Sequence, residues 1–328
     1  MRFVADIHGY PPYHNSGAEW MAHYIFRYLV NDEHHEVVVL LDFNSYLGTI
    51  KEAYEFEGVE VVSDKDRDLY YRSADAIFTH LDKTGKAYNY ARRYGKPLFH
   101  FIHNNYKNVV VENQNAIDQF AIYNSEWVRE KVKDIQRSIV RSVVVHPPVF
   151  LDDYSNDRIN SYITLINLNK NKGGELFMEL AKNLPEYQFM GVMGSYGEQF
   201  FDHKLKNVHY IPHTGDINYV YRRTRILLMP SAYESYGRTA LEASCSRIPV
   251  ICTPTPGLKE AMSTAAIYVE RDDVDGWIQA IRKLDNEEYY AEASEKCYLR
   301  AKSLEPGKEL EYLNKFICYE IQNNENAR

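Results

Sequence analysis

Residues Ile226 to Met262, ILLMPSAYESYGRTALEASCSRIPVICTPTPGLKEAM, constrain the fold more than any other stretch, because they read as strand, loop, helix, strand, loop, helix. Ile226 to Pro230 is a short apolar run bounded by Pro and Ser, the pattern of a strand covered on both faces of a parallel sheet. The loop after it carries Glu234 and Gly237, a helix opens near Arg238 and Thr239, and Ile248 to Cys252 returns as a strand. Glu234 and Glu242 stand eight positions apart, one on the loop and one about a turn inside the helix. Both carboxylates can therefore face the crevice above the strand ends, where open α/β sheets bind ligands. Between them, the amides of Gly237, Arg238 and Thr239 sit at a helix N-terminus, where unpaired donors and the helix dipole favour an anion such as a phosphate. Gly237 lets a ligand come close to the backbone. A phosphorylated donor whose leaving group rests on the amides while a carboxylate holds its hydroxyls satisfies this pattern, and a sugar nucleotide is such a donor.

The chain has 328 residues, enough for two domains that each bury a core. A net charge of −8 does not supply the basic field expected of a protein that lives on nucleic acid or anionic lipid. The four cysteines, Cys245, Cys252, Cys297 and Cys318, form no C-x-x-C pair and fall in largely apolar settings, which reads as core thiols in a reducing compartment. MRFVADIHGY enters a strand at once without a charged leader and apolar core, and no apolar run approaches the ~18–20 residues that span a bilayer. These features predict a soluble, cytoplasmic protein.

Taken in order, Arg2 to Ala5 reads as the first strand and HGYPPYHNSGAEW as a punctuated loop. Asn15 or Ser16 can cap the helix that follows, in which Trp20, Met21, Tyr24, Ile25, Tyr28 and Leu29 recur at helical spacing. His8 and His14 flank the loop, and no pair of them shows a metal-ligand spacing with a third ligand nearby. His35 to Asp42, Val59 to Val62, Ala76 to His80, Pro97 to His103 and Gln119 to Asn124 read as strands, and their alternation with helices predicts a parallel sheet. His103 ends its strand at the carboxyl edge, and His100, three residues earlier, faces the opposite side. The polar stretch LDDYSNDRINS reads as an interdomain linker. No D-x-D pair at a strand end is placed to hold a divalent cation on a diphosphate, so no metal is expected.

The spacing E-x7-E in ESYGRTALE, followed by the PVIC strand and the Pro256-Gly257 turn into a helix containing Glu260, resembles the retaining GT-B glycosyltransferases of family 4. The resemblance implies two Rossmann-like α/β domains facing across a cleft, an acceptor domain over 1–150 and a nucleotide-sugar donor domain over 151–304. A C-terminal helix over 305–328 would cross back to the first domain. It further implies that Glu242 holds the donor's ribose hydroxyls and Glu234 those of the transferred sugar, with Tyr236 in the same loop. Lys172 and Gly173 match the family's Lys-Gly pair at a helix start, which makes Lys172 the group that neutralises the leaving diphosphate. Ser16 and Gly17 match the family's Gly-Gly loop with one glycine replaced, and His103 matches the strand-ending histidine that contacts the transferred sugar. Gly194 falls in the turn under the nucleotide, and Ile211 to His213, including Pro212, falls where the family reads the nucleobase. His8 and His14 are then candidates for the acceptor site.

One position departs from the pattern. Five residues before the lysine the family commonly carries arginine, and here Asn167 stands in its place; Lys170 or Arg238 is expected to supply the missing cation. The implied donor is UDP- or GDP-linked, and the implied acceptor is a glycan or lipid-linked sugar. The HNSGAEW and SAYESYG segments also look similar to glycosyltransferases of bacteriophages, some of which modify hydroxymethylated bases in DNA. A nucleotide-sugar epimerase and a non-catalytic sugar-nucleotide binding protein are the alternatives.

Overall fold

The computed structural model describes residues 1–45, 48–105, 116–136, 138–154, 159–195 and 197–326. The chain divides into two compact units, Met1–Pro148 with Pro306–Arg328, and Val149–Glu305.

Unit 1 is built on strands β1 (Arg2–Asp6), β2 (Glu36–Leu41), β5 (Tyr54–Phe56), β6 (Val59–Ser63), β7 (Ala76–His80), β8 (Leu98–Ile102), β9 (Gln119–Tyr123) and β10 (Ile139–Val144), with a small hairpin of β3 (Asn44–Ser45) and β4 (Gly48–Thr49) outside the sheet. The order across the sheet is β10-β9-β8-β7-β1-β2-β6-β5. Every ladder is parallel except β5 on β6. That antiparallel edge was not expected from the alternation of elements. Its cause is local: Glu57 (φ 49°) and Gly58 (φ 86°) are both left-handed, the backbone of a two-residue turn that folds Tyr54–Phe56 back on its neighbour.

Helices α1 (Gly17–Asn31), α2 (Arg67–Ser73), α3 (Thr84–Tyr94) and α4 (Glu126–Val132) connect these strands. In α1, Met21, Tyr24, Ile25 and Leu29 are buried at the spacing read from the sequence. The last helix, α12 (Gly307–Asn326), belongs to unit 1, and it buries Leu310, Leu313, Ile317 and Ile321 along one stripe. Its Phe316 meets Phe99 and Phe120 edge-on, and Glu309 accepts from the His146 ring and amide at 2.8 Å.

Unit 2 holds the parallel strands β11 (Tyr162–Ile166), β12 (Phe189–Val192), β13 (Val208–Ile211), β14 (Thr224–Met229), β15 (Val250–Cys252) and β16 (Ile267–Tyr268), in the order β13-β12-β11-β14-β15-β16. Helices α5 (Leu151–Tyr154), α6 (Gly174–Asn183), α7 (Ile217–Arg223), α8 (Arg238–Cys245), α9 (Pro256–Met262), α10 (Val274–Lys283) and α11 (Glu287–Ser303) complete it. From β11 the chain winds to one side through β12 and β13; from β14 it winds to the other. The order reverses between β11 and β14, so the loops leaving those two strands emerge side by side at the switch point, where such sheets bind ligands.

The stretch expected to be a linker begins instead as helix α5, and Tyr154 at its end is 5% exposed in the core of unit 2. Two bonds pin it: Arg238 donates to the Tyr154 hydroxyl at 2.6 Å, and the Ser246 hydroxyl donates to its carbonyl. Residues 155–158 lie outside the described residues. Cys245, Cys252 and Cys297 are buried thiols. Among the described residues no helix is long and apolar enough to cross a membrane.

Candidate functional site

In unit 2 the two loops at the switch point bring Lys172 and Glu234 together. Lys172 Nζ pairs with Glu234 Oε1, and the Ser231 hydroxyl donates to the same oxygen at 2.8 Å. Both side chains are largely buried, at 22% and 12% exposure, so the pair is held in a medium less screening than water. The lysine loop is shaped by its own sequence. Asn169 Oδ1 accepts from the Lys172 amide at 2.9 Å, and Gly173 takes φ 89°, a conformation that glycine adopts without strain. The Ala232 amide donates to the Asn171 carbonyl at 2.8 Å, tying the lysine loop to the glutamate loop.

Gly237, at φ 106°, is the N-cap of α8, and a side chain there would meet Leu258 at 2.6 Å. The α8 ladder opens with Ala240 N donating to Gly237 O at 2.9 Å, so Gly237 to Thr239 form the first turn, where the positive end of the helix dipole lies. Thr255 caps the next helix: its hydroxyl accepts from the Leu258 amide.

Arg238 and Glu242 are paired with each other: Arg238 Nη1 lies 2.7 Å from Glu242 Oε1 one helical turn on, and Arg238 also donates to the Tyr154 hydroxyl. Glu242 is 6% exposed, and its other oxygen accepts from the Tyr221 hydroxyl at 2.6 Å. Burial, then the Glu242 charge and hydrogen bond, push the Tyr221 phenol well above its ordinary value, so it stays a donor. Replacing Arg238 with Met leaves a buried carboxylate half-paired and is expected to cost about 3 kcal/mol. Urea unfolding checks this, and a change under ~0.5 kcal/mol, the level of an exposed pair, would contradict it.

Asn167 sits in the left-handed region (φ 69°), 7% exposed, where asparagine is tolerated better than arginine. Its side-chain oxygen accepts from Gln199 at 3.0 Å, while Gln199 Oε1 accepts from the Leu168 and Gly194 amides at 2.9 Å. A Cβ at Gly194 would overlap the Asn167 side chain, so the Gly194 turn lies directly on it. Lys170 is exposed, and its carbonyl accepts from Gly173 N and from Arg271, which also donates to the Pro230 carbonyl at 3.0 Å. Gln199 and Arg271 thus clamp the loops, and no motif in the sequence singled them out. Pro212 and His213 are exposed after β13, whereas Tyr236, expected beside the donor, is 2% exposed in the core of unit 2.

In unit 1 the fold gathers His8, His14 and His103 with two groups that the sequence reading passed over, Glu19 and His80. His8 Nε2 lies 3.0 Å from Glu19 Oε1, His14 Nε2 lies 3.8 Å from the same oxygen, and the His8 ring stacks on His80 at 4.7 Å. His80 Nδ1 is 3.4 Å from His103 Nε2. Ser16 takes the N-cap position of α1 and its hydroxyl donates to Glu19, while Gly17 is exposed with open space about its Cα. A signal was present: Ser16-x-x-Glu19 is the capping-box spacing. Burial opposes charge on Glu19, yet the His8 ring, the nearby His80 and the Ser16 hydroxyl bring its carboxyl down to about 2. Burial, followed by His8, holds His80 well below the ordinary imidazole value. Burial likewise lowers His103 to about 4 against the pull of Glu19.

His100 faces away from this group, 1% exposed, with Nε2 3.0 Å from Gln119 Oε1. Burial lowers it to about 4, against that hydrogen bond. The unfolded imidazole titrates near 6.5, so between those values the unfolded chain binds more protons and stability falls as pH falls. The expected loss from this residue by pH 4 is on the order of 3 kcal/mol. Stability measured from pH 7 to 4 should fall less steeply in His100→Gln, and parallel curves would contradict the assignment.

Residues 155–303 match the family model described as "Glycosyl transferases group 1". The O-antigen chain mannosyltransferase B of Escherichia coli is 32% identical over 71 residues, which is 22% of this chain and 18% of that protein. Such curated relatives are thus matched over about a fifth of their own length. Among solved structures, the sucrose-phosphate synthase of Thermosynechococcus elongatus superposes with a TM-score of 0.77 at 12% identity, covering 98% of this chain and 100% of that one. The fold is that of the GT-B glycosyltransferases. The Anabaena protein Alr3699/HepE, solved in complex with UDP-glucose, shares this GT-B fold with a TM-score of 0.74 at 14% identity, over 98% of this chain and 100% of that one. In GT-B terms, the family match coincides with unit 2, the unit that holds Lys172, Glu234 and the α8 N-terminus.

Proposed function

We propose that this protein transfers a glycosyl group from a nucleotide sugar to an acceptor hydroxyl, with retention of configuration. The observation that carries the reading is the Lys172–Glu234 pair on adjacent loops at the switch point of unit 2, within the segment matched by the group 1 family model. The pair sets a cation and a carboxylate side by side, one for the diphosphate and one for the sugar it carries. Lys172 turns to the diphosphate, and Glu234 accepts from the hydroxyls of the sugar. The first-turn amides of α8 add fixed positive dipole where the leaving oxygen gains charge. Lys172 and these amides fill the role that a divalent metal takes on other diphosphates, so no metal is required for transfer. Glu242 keeps lone pairs beyond those used by Arg238 and Tyr221, enough to accept from the ribose hydroxyls.

The acceptor belongs to unit 1, with His8, His14 and His103 as its candidate contacts. No protein base is assigned: the acceptor proton passes to the donor's own phosphate on the face from which the nucleotide leaves. A UDP- or GDP-linked sugar is the donor, and a glycan or lipid-linked sugar is the favoured acceptor over a modified DNA base, which the net charge of −8 disfavours. Unpaired cysteines fit a reducing, cytoplasmic setting.

Proton NMR of the anomeric signal during turnover of UDP-glucose and GDP-mannose tests the stereochemistry. An α-linked product from an α-linked donor supports the mechanism, and a β-linked first product refutes retention. A nucleotide that binds at unit 2 without ever being consumed would favour the binding-protein reading, to which Asn167 in the arginine position points.

A further inference from the structure

The geometry points to a metal-binding site in unit 1, formed by His8, Glu19 and His80, for one divalent transition ion of the zinc class. It concerns unit 1 alone and holds whether or not the transfer reading survives. The three residues come from the loop just after β1, the first turn of α1 and the end of β7, so their sequence spacing carried no ligand motif; the parallel pairing of β1 with β7 assembles them. Each offers one ligand atom, and these atoms lie within 4.8 Å of one another. Zinc bonds of ~2.0–2.1 Å set ligands ~3.4 Å apart, so a contraction of at most about 1.4 Å by side-chain rotation closes the site. Two imidazoles and a carboxylate form a donor set that zinc and its neighbours favour over magnesium or calcium.

A second observation singles out these side chains. His8, Glu19 and His80 are 9%, 1% and 0% exposed, and His8 Nδ1 and Glu19 Oε1 are buried without a partner in hydrogen-bond geometry. His8 Nε2 approaches Glu19 Oε1 to 3.0 Å, an ion-pair distance. Asp82, itself exposed, comes no nearer to His8 Nδ1 than 3.8 Å. Buried polar atoms of native proteins are rarely left in this condition. Outer partners are in place: the Ser16 hydroxyl donates to Glu19 Oε2, and His103 Nε2 stands 3.4 Å from His80 Nδ1, which leaves His80 Nε2, now 3.4 Å from the His8 amide, as the nitrogen that takes the ion. Such contacts orient ligands and tune their basicity. His8 and His14 also line a pocket of about 80 Å³ with Tyr10, Tyr13 and Asp42, room for a water as fourth ligand.

The test uses the full chain, stripped with a chelator and titrated with cobalt(II) and then zinc. One equivalent of cobalt should bind with the visible absorption of a four-coordinate nitrogen-oxygen site, and zinc should displace it. Glu19→Gln and His8→Asn should each weaken binding by more than ~10-fold, the lower end of what even an outer-shell change costs. Lys172→Ala, which lies in unit 2, should bind as the wild type does. Far-UV circular dichroism establishes that the variants fold, and His80→Asn serves as the second variant where one of them does not. The proposal is overturned if no stoichiometric ion survives gel filtration, or if folded Glu19→Gln and His8→Asn proteins bind cobalt as tightly as the wild type.

Discussion

Replacing Lys172 with Ala lowers kcat for glycosyl transfer by ~10²–10³-fold, the loss seen when one group that stabilises developing negative charge is removed. The KM for the nucleotide sugar moves far less, because the ammonium is needed most when the glycosidic bond breaks and the diphosphate takes up charge. Glu234→Ala falls into the same range by losing its hold on the sugar hydroxyls, yet nucleotide diphosphate binding persists. Each single change also removes the opposite charge beside a side chain that is only 22% or 12% exposed. The double variant should therefore lose less stability than the sum of the singles, a coupling of about 1–3 kcal/mol in a thermodynamic cycle. Equal turnover by Lys172→Ala and wild type would remove this pair from the site.

Gly257→Ala is the second large effect, and its sign is unusual. Within α9, alanine normally stabilises relative to glycine by up to ~1 kcal/mol. Here an added Cβ would overlap the Glu234 carbonyl and come within 2.7 Å of the Ser235 carbonyl oxygen. Backbone atoms cannot swing aside as a side-chain tip does, so either α9 or the Glu234 loop must move. The expected cost is about 1–3 kcal/mol with a melting temperature several degrees lower. Because the displaced loop carries Glu234, kcat falls as well. Gly17→Ala, at a position with open space, is the matched control for stability. Calorimetry and steady-state rates on both variants decide it, and a Gly257→Ala protein as stable and active as wild type would contradict the packing.

Much of this was legible beforehand for a physical reason. The buried strands of a parallel sheet are largely apolar runs, so Ala76–His80 was read with the bounds it has, and α1 was visible in its helical spacing. The E-x7-E stretch and the Lys-Gly pair are local patterns, and the structure puts Lys172 against Glu234. What sequence reading missed is non-local or depends on side-chain direction. His80 and Glu19 join His8 only because β1 pairs with β7 and α1 starts above them. Arg238 was read as a replacement cation beside the α8 amides, and its pairing with Glu242 one turn on went unread. Tyr154 was read as part of a linker because its neighbours are polar, although one aromatic ring suffices to anchor α5.

The most direct test of the central claim is nucleoside diphosphate release from a panel of UDP- and GDP-linked sugars, followed with purified wild type beside Glu234→Ala. The account predicts slow release from one donor, accompanied by a thermal shift that the variant retains while its release falls to background. Release from no donor, or release undiminished by Glu234→Ala, would contradict it.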